Sequence, residues 1–240
     1  MTAGEILRRR EFPYVVIACL GAVAVGLAAW HPLAALDTFS RYAVMAEAFA
    51  AGNWKDAFHP RFGVGFPCLS GSLRWLTGLD GYRCCAIVST LAWAAGMIPL
   101  FRLTRRIFGE TAAWFAVVLY AFCPQTLIWG LKGFRDTFRI VGVLFMVSGA
   151  VGRRLEPNRG LCEQLVGFSL LVLFRGDSVL QAVALLGVFA CIDMFRHKTW
   201  LLAAGSAVIM QPSCWLVYSW TGCWCPVYEA VWILKRWLGG

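Results

Sequence analysis

The strongest constraint in this sequence is an apolar run, Phe12 to Trp30, that holds no charged side chain. Six more apolar stretches follow it, separated by short clusters of Arg, Lys, Gly and Pro. A run of ~20 apolar residues matches the hydrocarbon thickness of a bilayer. Backbone amides in hydrocarbon must bond within their own segment, so each stretch has to be helical.

Composition supports the same solvent. Of 240 residues, 60% are apolar and 15% charged, against roughly 25% charged in an average soluble domain. Mean hydropathy is +0.66. The formal charge is +9, which in a soluble chain would point to nucleic acid. Here the basic residues sit between apolar stretches without interleaved aromatics, so membrane orientation and anionic head groups explain them and nucleic acid is excluded.

The pattern predicts an all-α integral membrane protein of about seven transmembrane helices: Phe12–Trp30, Cys84–Phe101, Ala112–Trp129, Phe138–Val151, Leu161–Phe174, Ser178–Ile192 and Trp200–Trp220. The first follows Arg8, Arg9 and Arg10 and has no clear small-residue cleavage site, so it reads as an uncleaved span. Arg175-Gly176-Asp177 is read as the outer turn between helices five and six. The alternative places it mid-membrane within one long span, which removes a crossing. Residues 31–82 form the first outer loop, with helical spacing over 38–51 (Tyr42, Met45, Ala46, Phe49) and a second interfacial piece over 66–76. Residues 1–220 make one transmembrane module, and 221–240 a short interfacial tail carrying Trp232 and Trp237. Lys and Arg divide eleven to eleven between the two sides, but one set lies in shorter loops, which places the N-terminus in the cytoplasm. The ten cysteines show no paired C-x-x-C spacing of a zinc site. A bridge from Cys223 or Cys225 to Cys68, Cys84 or Cys85 stays open.

Charge gathers on the outer side at membrane depth. Asp37 begins the first loop; Lys132, Arg135, Asp136 and Arg139 flank the start of helix four; Arg175 and Asp177 lie between helices five and six. Ionisable residues at this depth are costly and usually functional. Carboxylates serve as general bases or hold a divalent cation, while Arg and Lys clamp phosphate and stabilise a phosphate leaving group. Both kinds beside lipid suit transfer of a group from a lipid phosphate. His59 with Asp37 or Asp56 is a weaker metal candidate, and Trp54, Trp75 or Trp129 could stack on a sugar. Ser89, Ser148 and Ser169 show no triad spacing and read as packing residues.

The chain resembles a family. The segment Tyr42-x-x-Met-Ala-Glu-Ala-Phe-Ala-Ala-Gly52-Asn53-Trp54, then Phe58-His59-Pro60-Arg61 and Gly65-Phe66-Pro67, is similar to the first outer loop of GT-C glycosyltransferases. Within that group it resembles in particular the protein O-mannosyltransferases and the aminoarabinose transferase of lipid A. Leu100-Phe-Arg-Leu-Thr-Arg-Arg-Ile-Phe-Gly109 resembles their inner loop after helix two, Gly133-Phe134-Arg135-Asp136 their second acidic position, and Leu173-Phe-Arg175-Gly-Asp177 an outer turn. The resemblance covers about residues 5–220. It implies a catalytic first outer loop and transfer from a polyprenyl-phosphate sugar, with inversion at the anomeric carbon, at the outer face of a bacterial inner membrane. The catalytic acids it implies are Asp37, with a single acid in place of an adjacent pair, and Asp136. The donor-phosphate set it implies is Arg61, Lys132, Arg135 and Arg175. It fixes no cofactor, leaves the need for a divalent cation at the carboxylates open, and leaves sugar and acceptor unspecified. Because family members commonly run longer, a non-catalytic scaffold or truncated inactive relative is the alternative. A small transporter would need inverted repeats, and none is evident.

Overall fold

The computed structural model describes residues 12–30, 38–58, 63–153 and 155–174. Every regular element among them is helical, and no strand is present among the described residues. The order is α1 (Phe12–Trp30), a π-helical turn (Thr38–Tyr42) running into α2 (Ala43–Ala50), α3 (Trp54–Ala57), α4 (Gly65–Thr77), α5 (Gly81–Phe108), α6 (Glu110–Phe122), α7 (Pro124–Leu131), α8 (Asp136–Gly152) and α9 (Pro157–Phe174).

Helix α5 is the axis of the molecule. Asp80 starts it by accepting the Arg83 N–H at 2.8 Å, the N-cap role that short polar side chains fill. Its 28 residues span about 42 Å at 1.5 Å per residue. Helix α1 packs antiparallel on it, with Gly21 against Ala94 and Tyr14 against Arg102. Trp93, Met97 and Phe101 of α5 share one core with Ile17 of α1 and with Ala113, Val117 and Ala121 of α6. Ser89 meets Thr137 near one end of α5 and Arg106 meets Ser148 near the other, so α5 and α8 run parallel. Helix α9 returns antiparallel along α8.

That last pairing rests on glycine. A Cβ at Gly149 would lie 2.6 Å from the Gly160 carbonyl, and one at Gly142 would lie 3.0 Å from the Gly167 carbonyl. Lipid tails are as apolar as Leu, so helices in a bilayer associate through close backbone approach and polar contacts. The polar contact here is buried. Glu163, 5% exposed, receives Arg102 Nη1 at 2.9 Å and Arg106 Nη1 at 3.2 Å, and Ser148 Oγ donates to it at 2.9 Å. Arg106 also donates to the Ser148 carbonyl at 2.8 Å, and Arg153 donates to Gln164 at 3.3 Å. Helices α5, α8 and α9 are thereby tied together at their basic end.

Among the described residues two helices, α1 and α5, are long and apolar enough to cross a membrane, and α6 with α7 forms a third candidate bent by 57°. The expected third span, Ala112–Trp129, is therefore broken. Pro124 lacks an N–H, and the residue before a proline is pushed out of the helical region; Cys123 accordingly sits at φ −63°, ψ 117°. Thr126 Oγ1 answers the break by donating to the Tyr120 carbonyl at 2.7 Å. Expected helices two, four and five appear as α5, α8 and α9, each longer than expected. Helices α8 and α9 fall short as spans because the first has 17 residues and the second begins with Arg159, Glu163 and Gln164. Expected helices six and seven, the Arg175–Asp177 turn and the tail lie outside the described residues.

Glu163→Ala should leave two part-buried guanidiniums without their counter-ion, at a cost of about 3 kcal/mol. Arg83→Ala removes an exposed pair with Asp80, away from this cluster, and should cost no more than ~1 kcal/mol. Thermal unfolding of the two variants in detergent compares them; equal losses would show that the Glu163 cluster does not hold the bundle.

Candidate active site

The turn between α7 and α8, residues 132–135, carries three residues singled out in the sequence: Lys132, Arg135 and, as the first residue of α8, Asp136. Helix α7 leaves its last carbonyls without intrahelical donors, as every helix does. In a bilayer those carbonyls need partners from the protein. The N–H groups of Lys132, Gly133 and Phe134 return to Ile128, Gly130 and Trp129, and hydroxyls add further donors. Ser89 Oγ lies 2.8 Å from the Phe134 carbonyl and 3.1 Å from that of Trp129, and it pairs with Thr137 Oγ1 at 3.0 Å. Thr90 Oγ1, bonded to its own helix at Ala86 O, reaches the Gly130 carbonyl at 3.3 Å. From the first loop, Thr38 Oγ1 donates to the Lys132 carbonyl at 2.7 Å.

Gly133 lets the turn close. Its φ of +71° is left-handed, where glycine alone is unstrained. A Cβ there would sit 3.0 Å from both the Ala86 nitrogen and the Thr38 methyl. Asp136 then stands in the first turn of α8, where the helix dipole favours a negative charge. Arg135, 5% exposed, lays its guanidinium 5.8 Å from the centre of the Tyr42 ring.

Lys132 and Arg139 differ from the rest. Both are half-buried, and neither side chain makes a hydrogen bond or ion pair among the described residues. They flank Asp136 on its two sides in sequence, and Arg139 lies one helical turn beyond it. Arg139 was visible in the sequence as part of the charge cluster, but it stood outside the expected phosphate set; its lack of a partner is a property only the fold reveals.

An aromatic wall joins this turn to the other expected site segments. Phe138 stacks on Phe174 with centroids 3.9 Å apart, and Phe66 meets Phe138 and Tyr42 edge-on at 5.9 and 5.5 Å. A Cβ at Gly65 would lie 2.9 Å from the Phe174 ring, so Gly65 lets α4 approach the end of α9. Thr38 follows Asp37 in the chain, and Phe174 precedes Arg175. Asp37, Arg61 and Arg175 themselves lie outside the described residues, as does His59. Asp56 accepts a hydrogen bond from Asn53. No group of three or more metal-ligating side chains occurs among the described residues. Burial pushes the Cys68 thiol of α4 up to about 11, leaving it protonated and unreactive at neutral pH.

Comparison with known proteins adds one match. A family model described as dolichyl-phosphate-mannose-protein mannosyltransferase matches residues 76–218, more than half of the chain. The matched segment contains Lys132, Arg135, Asp136, Arg139 and Arg175 but not Asp37 or Arg61. No curated protein and no solved structure matches.

Ser89→Ala should leave the Phe134 carbonyl with only the Thr137 N–H, at 3.3 Å, and cost about 1 kcal/mol. Ser169→Ala, whose hydroxyl bonds its own helix at Leu165 O, should be close to neutral. Equal melting temperatures for the two variants in detergent would contradict the capping role of Ser89.

Proposed function

We propose that this chain, which belongs to the dolichyl-phosphate-mannose-protein mannosyltransferase family, moves a sugar from a polyprenyl-phosphate donor to an acceptor at the outer face of a bacterial inner membrane, with its N-terminus in the cytoplasm. Family membership implies glycosyltransferase activity of the GT-C kind. The observation that carries the finer reading is the pair of half-buried cations, Lys132 and Arg139, which have no counter-ion among the described residues and stand on either side of Asp136. A cation at membrane depth is costly unless an anion meets it, and the donor's phosphate is an anion that arrives through the bilayer.

In this reading Lys132, Arg135 and Arg139 bind the phosphate, joined by Arg61 and Arg175. Asp37 removes the proton from the acceptor hydroxyl as that oxygen attacks the anomeric carbon. The new C–O bond forms on the face opposite the phosphate, the bond from carbon to phosphate oxygen breaks, and the configuration inverts. The electron pair leaves on polyprenyl phosphate, where the cations stabilise the added charge. Asp136 orients the acceptor. Support for Asp37 in this place comes from its neighbour, Thr38, which is hydrogen-bonded to the Lys132 carbonyl; support for Arg175 comes from Phe174, stacked on Phe138 two residues beyond Asp136. A divalent cation fits the described turn poorly, since it offers one carboxylate among three cations, so no step is routed through a metal.

With purified chain and polyprenyl-phosphate mannose as the probe donor, Lys132→Ala and Arg139→Ala should each lower kcat by about 10²–10³-fold, the loss typical of removing one charge-stabilising group. Asp37→Asn should abolish turnover while leaving donor binding intact. Full turnover by Asp37→Asn sinks the assignment of the base, and full turnover by the Lys132/Arg139 double variant sinks the phosphate site. Donor binding without turnover by the unaltered chain would favour a non-catalytic relative.

A further inference from the structure

An apolar groove of about 360 Å³ runs between α1 and α5. Small side chains open it: Ala18, Gly21 and Ala22 from α1, Ala94 and Ala95 from α5. On α5 its lining residues Leu91, Ala95 and Ile98 lie at helical spacing, and the same stripe continues to Arg102 and Arg105. On α1 the groove ends at Tyr14, whose hydroxyl accepts from Arg102 Nε at 3.1 Å while the guanidinium lies 5.3 Å from the Tyr14 ring centre. Arg102 also donates Nη1 to Glu163 at 2.9 Å, and with Arg105 beside it the foot of the groove stays net cationic. Arg105 is exposed there, 5.6 Å over the Phe101 ring, and makes no ion pair or hydrogen bond among the described residues.

We propose that this groove binds one acyl chain of an anionic phospholipid, whose phosphate rests on Arg102 and Arg105. A hydrocarbon channel closed by two guanidiniums is complementary to an amphiphile with a negative head. A second copy of the chain fits less well. A two-fold contact through this face would bring the same surface together and set Arg102 and Arg105 against their own counterparts. The donor lipid is separated from this groove by depth. Arg102 lies thirteen residues along α5 from Ser89, about 20 Å at 1.5 Å per residue, and Ser89 is the residue that holds the Lys132–Asp136 turn. The phospholipid therefore sits in the leaflet opposite the proposed transfer site and stabilises the α1–α5 pair without entering the reaction.

The full chain, purified in detergent, is mixed with phosphatidylglycerol or phosphatidylcholine and weighed intact by native mass spectrometry. Phosphatidylglycerol should be retained in preference to phosphatidylcholine. Arg105→Gln should weaken it about fivefold, the loss expected for one arginine at a head group. Ala22→Phe, which fills the groove, should reduce retention of both lipids. Neither residue belongs to the Glu163 cluster or the transfer site, and unaltered melting temperatures without lipid confirm the fold of each variant. Equal retention of the two lipids by the unaltered chain would overturn the proposal, as would unchanged phosphatidylglycerol binding in both variants. So would a dimer mass that Ala22→Phe abolishes, which would give the groove to a second copy. Displacement of phosphatidylglycerol by polyprenyl phosphate would give it to the carrier lipid instead. None of these outcomes depends on sugar transfer, so the proposed activity stands or falls separately.

Discussion

A polypeptide that turns at membrane depth must satisfy its own carbonyls, and the turn after α7 meets this demand with side chains from elsewhere in the fold. Ser89 and Thr90 come from the axial helix α5, Thr137 from α8 and Thr38 from the first loop. Water can cap a helix end in a soluble protein, but it is absent from hydrocarbon. The capping hydroxyls therefore fix the position of the turn as well as its energy. Because the turn carries Lys132, Arg135 and Asp136, the same bonds fix where the charges stand. Gly133 completes the arrangement by letting the backbone press against α5 at Ala86.

The other end of the bundle is held by a different interaction. Glu163 is an acid drawn into the interior by arginines from α5, with Ser148 satisfying a further lone pair. Such a cluster is weak evidence of stability in itself, since desolvation offsets most of the attraction. It does set register. Only one sliding position of α9 along α8 brings Glu163 to Arg106 and also places Gly160 against Gly149 and Gly167 against Gly142. With that register fixed, the far end of α9 delivers Phe174 to Phe138, beside Asp136. The ion cluster at one end thus helps assemble the charged turn at the other, through a helix about 27 Å long at 1.5 Å per residue.

These two clusters explain what could and could not be read from the sequence. Helix α1 was legible to the residue because charge and proline bound an uninterrupted apolar run. Interfacial helix α4 was legible from its spacing to within a residue or two. The break at Cys123–Pro124 was missed because apolar residues continue on both sides, so hydropathy outweighed the one residue that cannot donate. Glu163 was missed for a related reason: an acid near a predicted helix start reads as solvated, and nothing local says that Arg102 and Arg106 will reach it. Ser89 was read as a packing residue, which describes its burial but not its task. For Glu163 and Ser89 the missing information was the identity of a partner more than forty residues away.

Charge at the transfer end has a simple electrostatic logic. The turn and the start of α8 place Lys132, Arg135 and Arg139 around one acid, Asp136, at the edge of a low-dielectric region. Bonding every cation to the acid would have made a tied ion cluster, as at Glu163, where one acid holds two arginines. The described residues instead leave Lys132 and Arg139 without counter-ions, so part of the electrostatic stabilisation is available to an incoming anion. A phosphate that gains negative charge as its bond to a sugar breaks would interact more strongly with these cations in the transition state than in the bound donor, and only that difference accelerates the reaction. The rigid hydroxyl caps beneath the turn matter for the same reason: cations that must reorganise as charge develops would forfeit much of the advantage. The contrast between the two ends, one with its acid bonded by two arginines and the other with two cations unpaired among the described residues, is the physical ground for proposing chemistry at Asp136 and structure at Glu163.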